Sequence, residues 1–367
     1  MRDVSPIFIP YARQTGLLGG EKPNPMPSQF PVLEPACKRY ADKRNTIPGG
    51  CIVEQNQTRP SLVNRIKPIG KVLLLIGLLI LLSLYIINAS RPGRRVEGCP
   101  EGCATAAMPG AGPLKVVSLN MLHGFPGFKD LQLRLDLIST EIRRLNADVV
   151  LLQEVPWTTR TGNAAEVVAQ KLGYNYLYYR ANGNKDLIFF EEGEAILSRF
   201  PLKGAMFTEL QPRAGLFESR VTLGALAVTP WGEVTFYVVH LTDKGPQVNA
   251  GQAHALQSFV QAHSSGFAIV AGDFNAREDS PQIKQLVSGW TDTYRAAHPK
   301  DIGFTCCIDD LRANPGEPLE ERIDYIFLVH ESGKIISVEH VFDHPFKVGG
   351  GWQWASDHTG LMVEIEP

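Results

Sequence analysis

Residues 267–276 read FAIVAGDFNA, an apolar run that ends abruptly in polar residues. Phe267–Ala271 is a short uncharged run, typical of a buried β-strand. Asp273 and Asn275 follow it directly. The same pattern, an apolar strand that ends or begins at a carboxylate, an amide or an imidazole, occurs at six places in the chain. Because rigid strand ends hold ligand-facing side chains in sheet proteins, the repetition predicts one shared site.

The residue types at these strand ends indicate the chemistry of the site. Carboxylates with no nearby Cys or clustered His favour a hard cation, Mg²⁺ or Mn²⁺. The chain has neither GxSxG nor GxxxxGK[ST], so a serine-hydrolase elbow and a nucleotide P-loop are not supported. A metal, an anion-binding amide and positioned imidazoles suit attack of water on a phosphoester. The other five places are at Asn120 (VVSLN), Glu154 (VVLLQE), His240 (FYVVH), Asp324 (RIDYIFL) and Asp357-His358 (ASDHTGLMVEI).

Strand-like runs outnumber helical ones, and they occur in pairs as well as in βα alternation. This favours an α/β fold with two packed sheets and helices outside over a single parallel sheet. Helices are predicted at Leu131–Leu145, Ala164–Leu172 and Val248–Ala262. Strands are predicted at Val116–Asn120, Val149–Leu152, Tyr174–Tyr179, Ala195–Ser198, Val221–Val228, Val234–His240, Phe267–Ala271, Ile323–Leu328, Ile335–Val341 and Leu361–Ile365.

Seven segments in this order resemble the endonuclease–exonuclease–phosphatase superfamily: SLNMLHG, VVLLQEV, EGEAILSRFPL, FYVVHL, IVAGDFNA, RIDYIF and ASDHTGL. That superfamily includes deoxyribonuclease I-like enzymes, exonuclease III-like repair nucleases, neutral sphingomyelinases and inositol polyphosphate 5-phosphatases. The resemblance covers about Lys115 to Pro367. It implies a four-layer α/β sandwich, in which two packed mixed β-sheets are flanked by helices.

The resemblance also implies roles on the metal side of the site. Glu154 is similar to the family's main metal ligand, and Asp357 resembles an additional metal-side carboxylate. Asn120 resembles the amide that shares the neighbourhood of the metal and the phosphate. The cofactor implied is Mg²⁺ or Mn²⁺.

On the phosphate side, Asp273 resembles the residue that orients or deprotonates the attacking water. Asn275 resembles the phosphate-contacting amide beside it. His358 resembles the imidazole on the scissile phosphate, and Asp324 resembles the acid that buffers its charge.

His240 resembles a second imidazole, which in the family often pairs with an acid near AILSR. Glu192 or Glu194 could be that acid, and we prefer Glu192. The two glutamates share a strand face because they are two residues apart. The family often has Asn where this chain has Glu194. Arg220 could support the strand or contact phosphate.

Residues 1–69 carry 10 of the 26 prolines and no sustained period, so we expect a disordered or over-extended N-terminal region. Val72–Ala89 carries no charge and would form about 27 Å of helix, just enough to cross a bilayer. We therefore predict a transmembrane helix or signal-anchor over 70–89. A signal peptide that starts near Asn64 is the competing interpretation. Residues 90–112 are predicted to be a linker and residues 113–367 the catalytic domain.

Charge is distributed unevenly along the chain. Residues 1–95 carry 14 Lys/Arg and 5 Asp/Glu, whereas residues 96–367 carry 22 and 33. An acidic body is a poor footprint for nucleic acid. Cys99 and Cys103 give only a weak zinc pattern, and a small disulfide in an oxidising compartment, or free thiols, is the favoured interpretation. The Cys pair and the signal-peptide interpretation both favour an extracytoplasmic catalytic domain. Of the remaining residues, Trp352 and Trp354 could pack in the core or form an apolar wall, and Cys306 and Cys307 are expected to pack.

These observations predict a membrane-tethered, divalent-metal-dependent phosphodiesterase or phosphatase acting on a lipid headgroup or another small phosphoester. The membrane contact is assigned to residues 72–89, and no protein partner is predicted. An extracytoplasmic nuclease that uses the same site is the first alternative. A non-catalytic binding domain of the same fold is the second.

Overall fold

The computed structural model describes residues 68–110, 112–264, 266–316, 318–330 and 333–366. The predictions of a disordered region over 1–69 and of a start near Asn64 therefore lie outside the described residues, apart from Pro68 and Ile69. Those two residues begin helix α1, Pro68–Ala89. None of the 22 residues of α1 is buried, so α1 is not a core helix. The predicted hydrophobic helix before the main domain is confirmed.

The rest of the chain forms five helices and sixteen strands among the described residues. The helices are α2 (Leu131–Leu145), α3 (Ala164–Leu172), α4 (Pro246–His263), α5 (Pro281–Val287) and α6 (Thr293–Ala297). The strands are β1 (Glu97–Cys99), β2 (Leu114–Asn120), β3 (Val149–Thr158), β4 (Gly162–Asn163), β5 (Asn175–Asn184), β6 (Phe190–Ser198), β7 (Leu202–Glu209), β8 (Val221–Thr229), β9 (Gly232–His240), β10 (Ala268–Asp273), β11 (Trp290–Asp292), β12 (Asp324–Val329), β13 (Lys334–Val341), β14 (Phe346–Val348), β15 (Gly351–Gln353) and β16 (Gly360–Glu366).

Two mixed sheets form the body of the domain. The first has the order β1-β5-β6-β3-β2-β16-β13, with β4 paired to β3, and the second has the order β11-β12-β10-β9-β8-β7. The pairs β2–β3 and β9–β10 are parallel, and the other pairs in these two sheets are antiparallel. A short hairpin, β14–β15, stands apart from both.

Alternation along the strands builds the layers. Val116 and Leu151 of the first sheet share a buried core with Phe236 and Ile326 of the second. The next residues along β2 and β3 point to the opposite face and pack against α2 and α3. The outer face of the second sheet packs against α4 and α5 in the same way. The predicted four-layer α/β sandwich is confirmed.

Helix ends agree with ordinary capping chemistry. The side chain of Asn163 accepts a hydrogen bond from the Ala165 amide at the start of α3. The side chain of Ser280 accepts one from the Ile283 amide at the start of α5. Helix α4 begins two residues earlier than predicted, because Pro246 fits the first helical position.

The interpretation of residues 90–112 as a linker is corrected by the structure. Residues 97–99 form β1, which pairs with β5 at the edge of the first sheet. The backbone amides of Cys103 and Ala104 donate to Oδ1 of Asn175. Cys99 and Cys103 are joined in a disulfide, as are Cys306 and Cys307. The Gly- and Pro-rich composition did not indicate a strand here. An edge strand pairs through its backbone, and backbone pairing leaves no pattern in the local sequence.

Candidate active site

Parallel pairing places the polar strand ends at one end of the sandwich. In the first sheet, Asn120 at the end of β2 stands opposite Gln153 of β3. In the second, Asp273 at the end of β10 stands between His240 and Asp324. The amide Nδ2 of Asn120 lies 3.1 Å from Oδ2 of Asp273, so the two groups of strand ends meet.

A β-bulge gives Glu154 its orientation. The ladder between β3 and β6 shifts register between Leu152 and Val155, and Glu154 has a φ of 54°. This left-handed backbone is unfavourable for a residue other than glycine and occurs most often at functional sites. The carboxylate of Glu154 accepts from Asn120 Nδ2 at 3.2 Å and from the His123 amide at 3.1 Å.

The charges around Glu154 fit a divalent cation. Although burial alone raises it, the pKa of Glu154 lies below its ordinary value, because His123, Asn120 and Arg220 favour the carboxylate. Burial raises the pKa of Asp357, and the charge of Glu154 raises it further. Glu154 and Asp357 are half-buried carboxylates that repel each other electrostatically, and carboxylate oxygens of this kind are ligands suited to Mg²⁺ or Mn²⁺. Glu154, Asp357 and Asn120 would hold such an ion.

His358 and Asp324 form a buried hydrogen-bonded pair. Nδ1 of His358 lies 2.9 Å from Oδ2 of Asp324, which also accepts from Thr305 Oγ1 at 2.6 Å. Although burial alone lowers it, the pKa of His358 is raised well above its ordinary value by Asp324 first, and then by Asp273 and Asp357. Because Nδ1–H of His358 is hydrogen-bonded to Asp324, the Nε2–H of the charged ring is the donor that remains for another group.

Asp273 lies at the centre of the site. Its Oδ1 accepts from the Asn275 amide at 2.8 Å, and its Oδ2 lies 3.8 Å from His358 Nε2. Burial, and then the charge of Asp324, raise the pKa of Asp273 to about 7. A carboxylate with this pKa can take a proton near neutral pH.

Asp273, Asp324 and His358 also have possible metal-ligand atoms within 4.8 Å of one another. A cation held by all three would compete with the His358–Asp324 hydrogen bond and with the positive charge on His358. We therefore interpret this trio as a proton-handling unit and assign the metal side to Glu154.

The prediction that His240 pairs with Glu192 or Glu194 is wrong. The ring of His240 lies between Arg220 and Asp273 instead. Its Nδ1 lies 2.9 Å from Nη1 of Arg220, and its Nε2 lies 3.4 Å from Oδ2 of Asp273. Burial first, and Arg220 second, lower the pKa of His240 well below its ordinary value. A guanidinium can only donate, so Nδ1 accepts and the neutral ring carries its proton on Nε2.

Asn275 lies beside the ring of His240, near the nitrogen that does not face Arg220. Its φ is 45°, a second left-handed non-glycine residue in the site. Its Nδ2 donates to the carbonyl of Leu241 at 2.9 Å. It also lies 3.0 Å from His240 Nε2, but since Nε2 carries the ring proton, this contact is a close approach of two donors and not a hydrogen bond. The amide is thus occupied within the protein here, and its contact with phosphate stays a prediction.

The two glutamates of β6 are buried and carry raised pKa values. Burial raises the pKa of Glu192, whose carboxylate accepts from Asn182. Burial, and then the charge of Glu192, raise the pKa of Glu194 well above its ordinary value. Oε2 of Glu194 has no hydrogen-bond partner within the described part of the chain. Burial thus raises the pKa of both carboxyl groups, and the groups beside the His240 ring are Arg220, Asn275 and Asp273 instead.

A cavity of about 480 Å³ opens beside Glu154, and Glu192 and Arg220 also line it. The role of Arg220 was left open above, and His123 was not among the predicted site residues. Both line this cavity, as does Asn182. The position of His123, three residues after Asn120 in one loop, was the available signal.

The tryptophans before the SDH segment lie elsewhere. Trp354 is buried and donates to the Ala313 carbonyl at 3.2 Å, which confirms its packing role. Trp352 lies on β15, with the Lys347 ammonium 5.9 Å from its ring centre.

Comparison with known proteins agrees with this geometry. The family model described as Endonuclease/Exonuclease/phosphatase family matches residues 117–358. No curated protein sequence matches the chain.

Solved structures show the same fold. An endonuclease/exonuclease/phosphatase family protein from Leptotrichia buccalis is 20% identical, with a TM-score of 0.54, over 69% of this chain and 100% of its own. A mannosyl-6-phosphatase from Bacteroides thetaiotaomicron is 18% identical, with a TM-score of 0.56, over 69% and 100%. The human Nocturnin catalytic domain is 20% identical, with a TM-score of 0.54, over 70% and 93%.

Proposed function

Because this chain belongs to the endonuclease/exonuclease/phosphatase family, we propose that it hydrolyses phosphoesters with the help of Mg²⁺ or Mn²⁺. The observation that carries the proposal is one buried network. Asn120 joins Glu154 to Asp273, and Asp273 lies beside the charged His358–Asp324 pair. Such a network combines a metal-binding carboxylate, a base of suitable pKa and a cation for the phosphate.

On the metal side, Glu154, Asp357 and Asn120 would hold the ion. When bound there, it would supply positive charge beside the phosphate oxygens. Glu154 stays ionised for this role, because its surroundings lower its pKa.

On the water side, Asp273 is the proposed base. It would accept a proton from the water whose oxygen forms the new bond to phosphorus. The bond between phosphorus and the ester oxygen breaks, and the departing alcohol takes up a proton. His358 would donate a hydrogen bond from Nε2 to a phosphate oxygen, and Asp324 keeps His358 charged for that purpose.

Arg220 and His240 would work as a unit beside this centre. Arg220 lines the cavity and keeps His240 neutral, so that Nε2–H points towards Asp273. We assign Arg220 to the phosphate as a second cation, and Asn275 to a phosphate contact beside the ring of His240. Glu192 lies in the cavity wall, and its raised pKa suits an acid that protonates a leaving group.

We further propose that α1 anchors the enzyme in a membrane, with the domain outside the cytoplasm. The length and the exposure of α1 support the anchor. The Cys99–Cys103 disulfide supports an oxidising compartment. The acid excess of residues 96–367 favours a lipid headgroup or small phosphoester over nucleic acid. The mannosyl-6-phosphatase among the similar structures supports phosphoester hydrolysis in general.

The test is a substrate panel on the full chain in detergent. Sphingomyelin, inositol phosphates, sugar phosphates and plasmid DNA are incubated with chelator-treated enzyme, with and without Mg²⁺ or Mn²⁺. We expect cation-dependent phosphoester cleavage that Asp273→Asn abolishes and the exposed control Asp279→Asn leaves unchanged. Failure of every substrate at every cation concentration would refute the proposal.

A further inference from the structure

The end of α1 is fixed to the domain beside the active site. Asn184 of β5 donates to the carbonyl of Ala89, the last residue of α1, at 3.2 Å. The Gly93 amide donates to the Arg180 carbonyl, and the Tyr179 hydroxyl donates to the Gly93 carbonyl. The chain therefore leaves the apolar helix directly onto the edge of the first sheet, with no free spacer.

Ser90 connects this helix end to the cavity. It is the first residue after α1, it is only 7% exposed, and it lines the same cavity as Glu154 and Arg220. If α1 spans a bilayer, the cavity must therefore lie at the level where the helix leaves the membrane.

Large apolar side chains surround the same cavity and face solvent. They come from three separate loops, and we call them the apolar rim. Exposed apolar groups that cluster around one opening mark a surface for an apolar partner. The members of the apolar rim are Phe125 (49% exposed), Ile188 (37%), Leu216 (68%) and Phe217 (61%).

Three exposed arginines, Arg91, Arg94 and Arg95, follow α1 directly. Arginine side chains at the end of a membrane helix form charge-assisted hydrogen bonds with lipid phosphate groups, and here they line a second cavity at the helix end. The bilayer surface, the arginines and the apolar rim are thus brought to one side of the domain by one helix.

We propose that the active-site cavity opens onto the membrane surface and that its substrate is a membrane phospholipid. The lipid's phosphoester would reach Glu154 while its chains stay in the bilayer beside the apolar rim. Water adds its oxygen to phosphorus, the bond from phosphorus to the lipid-side or headgroup-side alcohol oxygen breaks, and that oxygen takes a proton. This inference rests on the proposed phosphoester hydrolysis and on α1 as an anchor.

The first experiment compares one enzyme on two substrates. The full chain is reconstituted with vesicles of phosphatidylcholine, phosphatidylglycerol, phosphatidic acid and sphingomyelin. Water-soluble phosphate products are measured for cleavage on the lipid side, and released headgroup alcohols together with newly formed membrane-retained phosphatidic acid or ceramide phosphate for cleavage on the headgroup side. The soluble probe is bis(4-nitrophenyl) phosphate with the monoester 4-nitrophenyl phosphate. We expect Leu216→Ser/Phe217→Ser to lower lipid cleavage about tenfold more than it lowers cleavage of the soluble probes, because each side chain loses apolar contact with the bilayer.

The matched control is Val287→Ser/Ile302→Ser, two exposed apolar residues that line a different cavity. It should leave both rates unchanged. Cleavage of the soluble probes with no cleavage of any vesicle lipid would overturn the lipid proposal and leave phosphoester hydrolysis standing. Inactivity on every probe would refute both.

The second experiment does not depend on activity. Phe217→Trp is compared with Ile302→Trp in vesicles that contain brominated phosphatidylcholine, whose bromine quenches tryptophan fluorescence at short range. We expect additional quenching for Phe217→Trp only, relative to the parent chain. Equal quenching of the two variants would show that the apolar rim does not touch the bilayer, and it would overturn the inference.

Discussion

Nδ1 of His358 lies 2.9 Å from Oδ2 of Asp324, and both side chains are buried. This contact settles which nitrogen of the ring remains for a substrate, and it keeps the ring charged against the effect of burial. The proposed role of His358 depends on this pair, because a neutral ring would stabilise the negative charge that develops on the phosphate less than a charged ring does.

Asp324→Asn should therefore remove the support for the charged imidazole. The pKa of His358 is raised mainly by Asp324, so the variant lowers it, and the alkaline limb of the pH–rate profile should move to lower pH. We expect turnover to fall about 10²-fold. Steady-state rates across pH check this, with the exposed Asp279→Asn as the control.

A double variant tests whether His358 and Asp324 act as a unit. Residues that act as a unit are not additive, so Asp324→Asn/His358→Ala should be scarcely slower than the slower single variant. Multiplication of the two defects would count against the pair.

Arg220→Met should change His240 as well as the rate. Arg220 is the second cause, after burial, of the lowered pKa of His240, so its loss should move that pKa upward. We expect kcat/KM to fall by at least roughly tenfold. Imidazole NMR titration measures the pKa, and Arg277→Met, whose side chain is 64% exposed, is the control. An unmoved His240 resonance would contradict the contact.

His240 should also make the fold sensitive to acid. Its folded pKa lies well below the ordinary value of the unfolded chain, so the unfolded state binds more protons between the two. The contribution of His240 to stability is thus fully present above about pH 6.5 and decreases as pH falls below that. Urea unfolding at pH 8 and pH 5.5 should show a smaller loss for His240→Gln than for the parent. Equal losses would show that His240 is charged in the fold.

Helix α1 should hold the full chain in membranes against alkaline carbonate. Leu75→Arg/Leu79→Arg places two charges in α1, each costing about 2.5–3.5 kcal/mol at the centre of a bilayer, and should release the protein. Leu75→Ala/Leu79→Ala is the matched control and should stay bound. Release of the parent chain by carbonate would contradict the anchor.

Much of the fold could be predicted from local patterns. The spacing of Leu135, Ile138 and Ile142 predicted α2, and the uncharged run before Asp273 predicted β10. These predictions were confirmed because the spacing of apolar residues follows which face of a helix or strand is buried. The pairing of β1 with β5 was not predicted, since a three-residue edge strand is too short to show an apolar spacing.

The site was predicted in part for a similar reason. Asn120 and Asp273 lie at the ends of β2 and β10. Asp324 begins β12 and His358 lies just before β16, and these two strands pair antiparallel with β10 and β2, so all four side chains meet at one end of the sheets. The partner of His240 was predicted wrongly, because the resemblance suggested an acid, whereas Nδ1 of His240 lies against the guanidinium of Arg220. Arg220, the residue immediately before β8, takes the position predicted for the acid.

The most direct test of the central claim concerns Glu154 and the cation. Glu154→Gln keeps the size of the side chain and removes one charge from the proposed ion site. In chelator-treated enzyme restored with Mg²⁺ or Mn²⁺, we expect phosphoester cleavage to fall about 10²-fold or more with folding little changed, while the exposed Glu233→Gln keeps full activity. The cation concentration for half-maximal activity should rise as well. Near-full activity of Glu154→Gln at the parent's cation concentration would contradict the account.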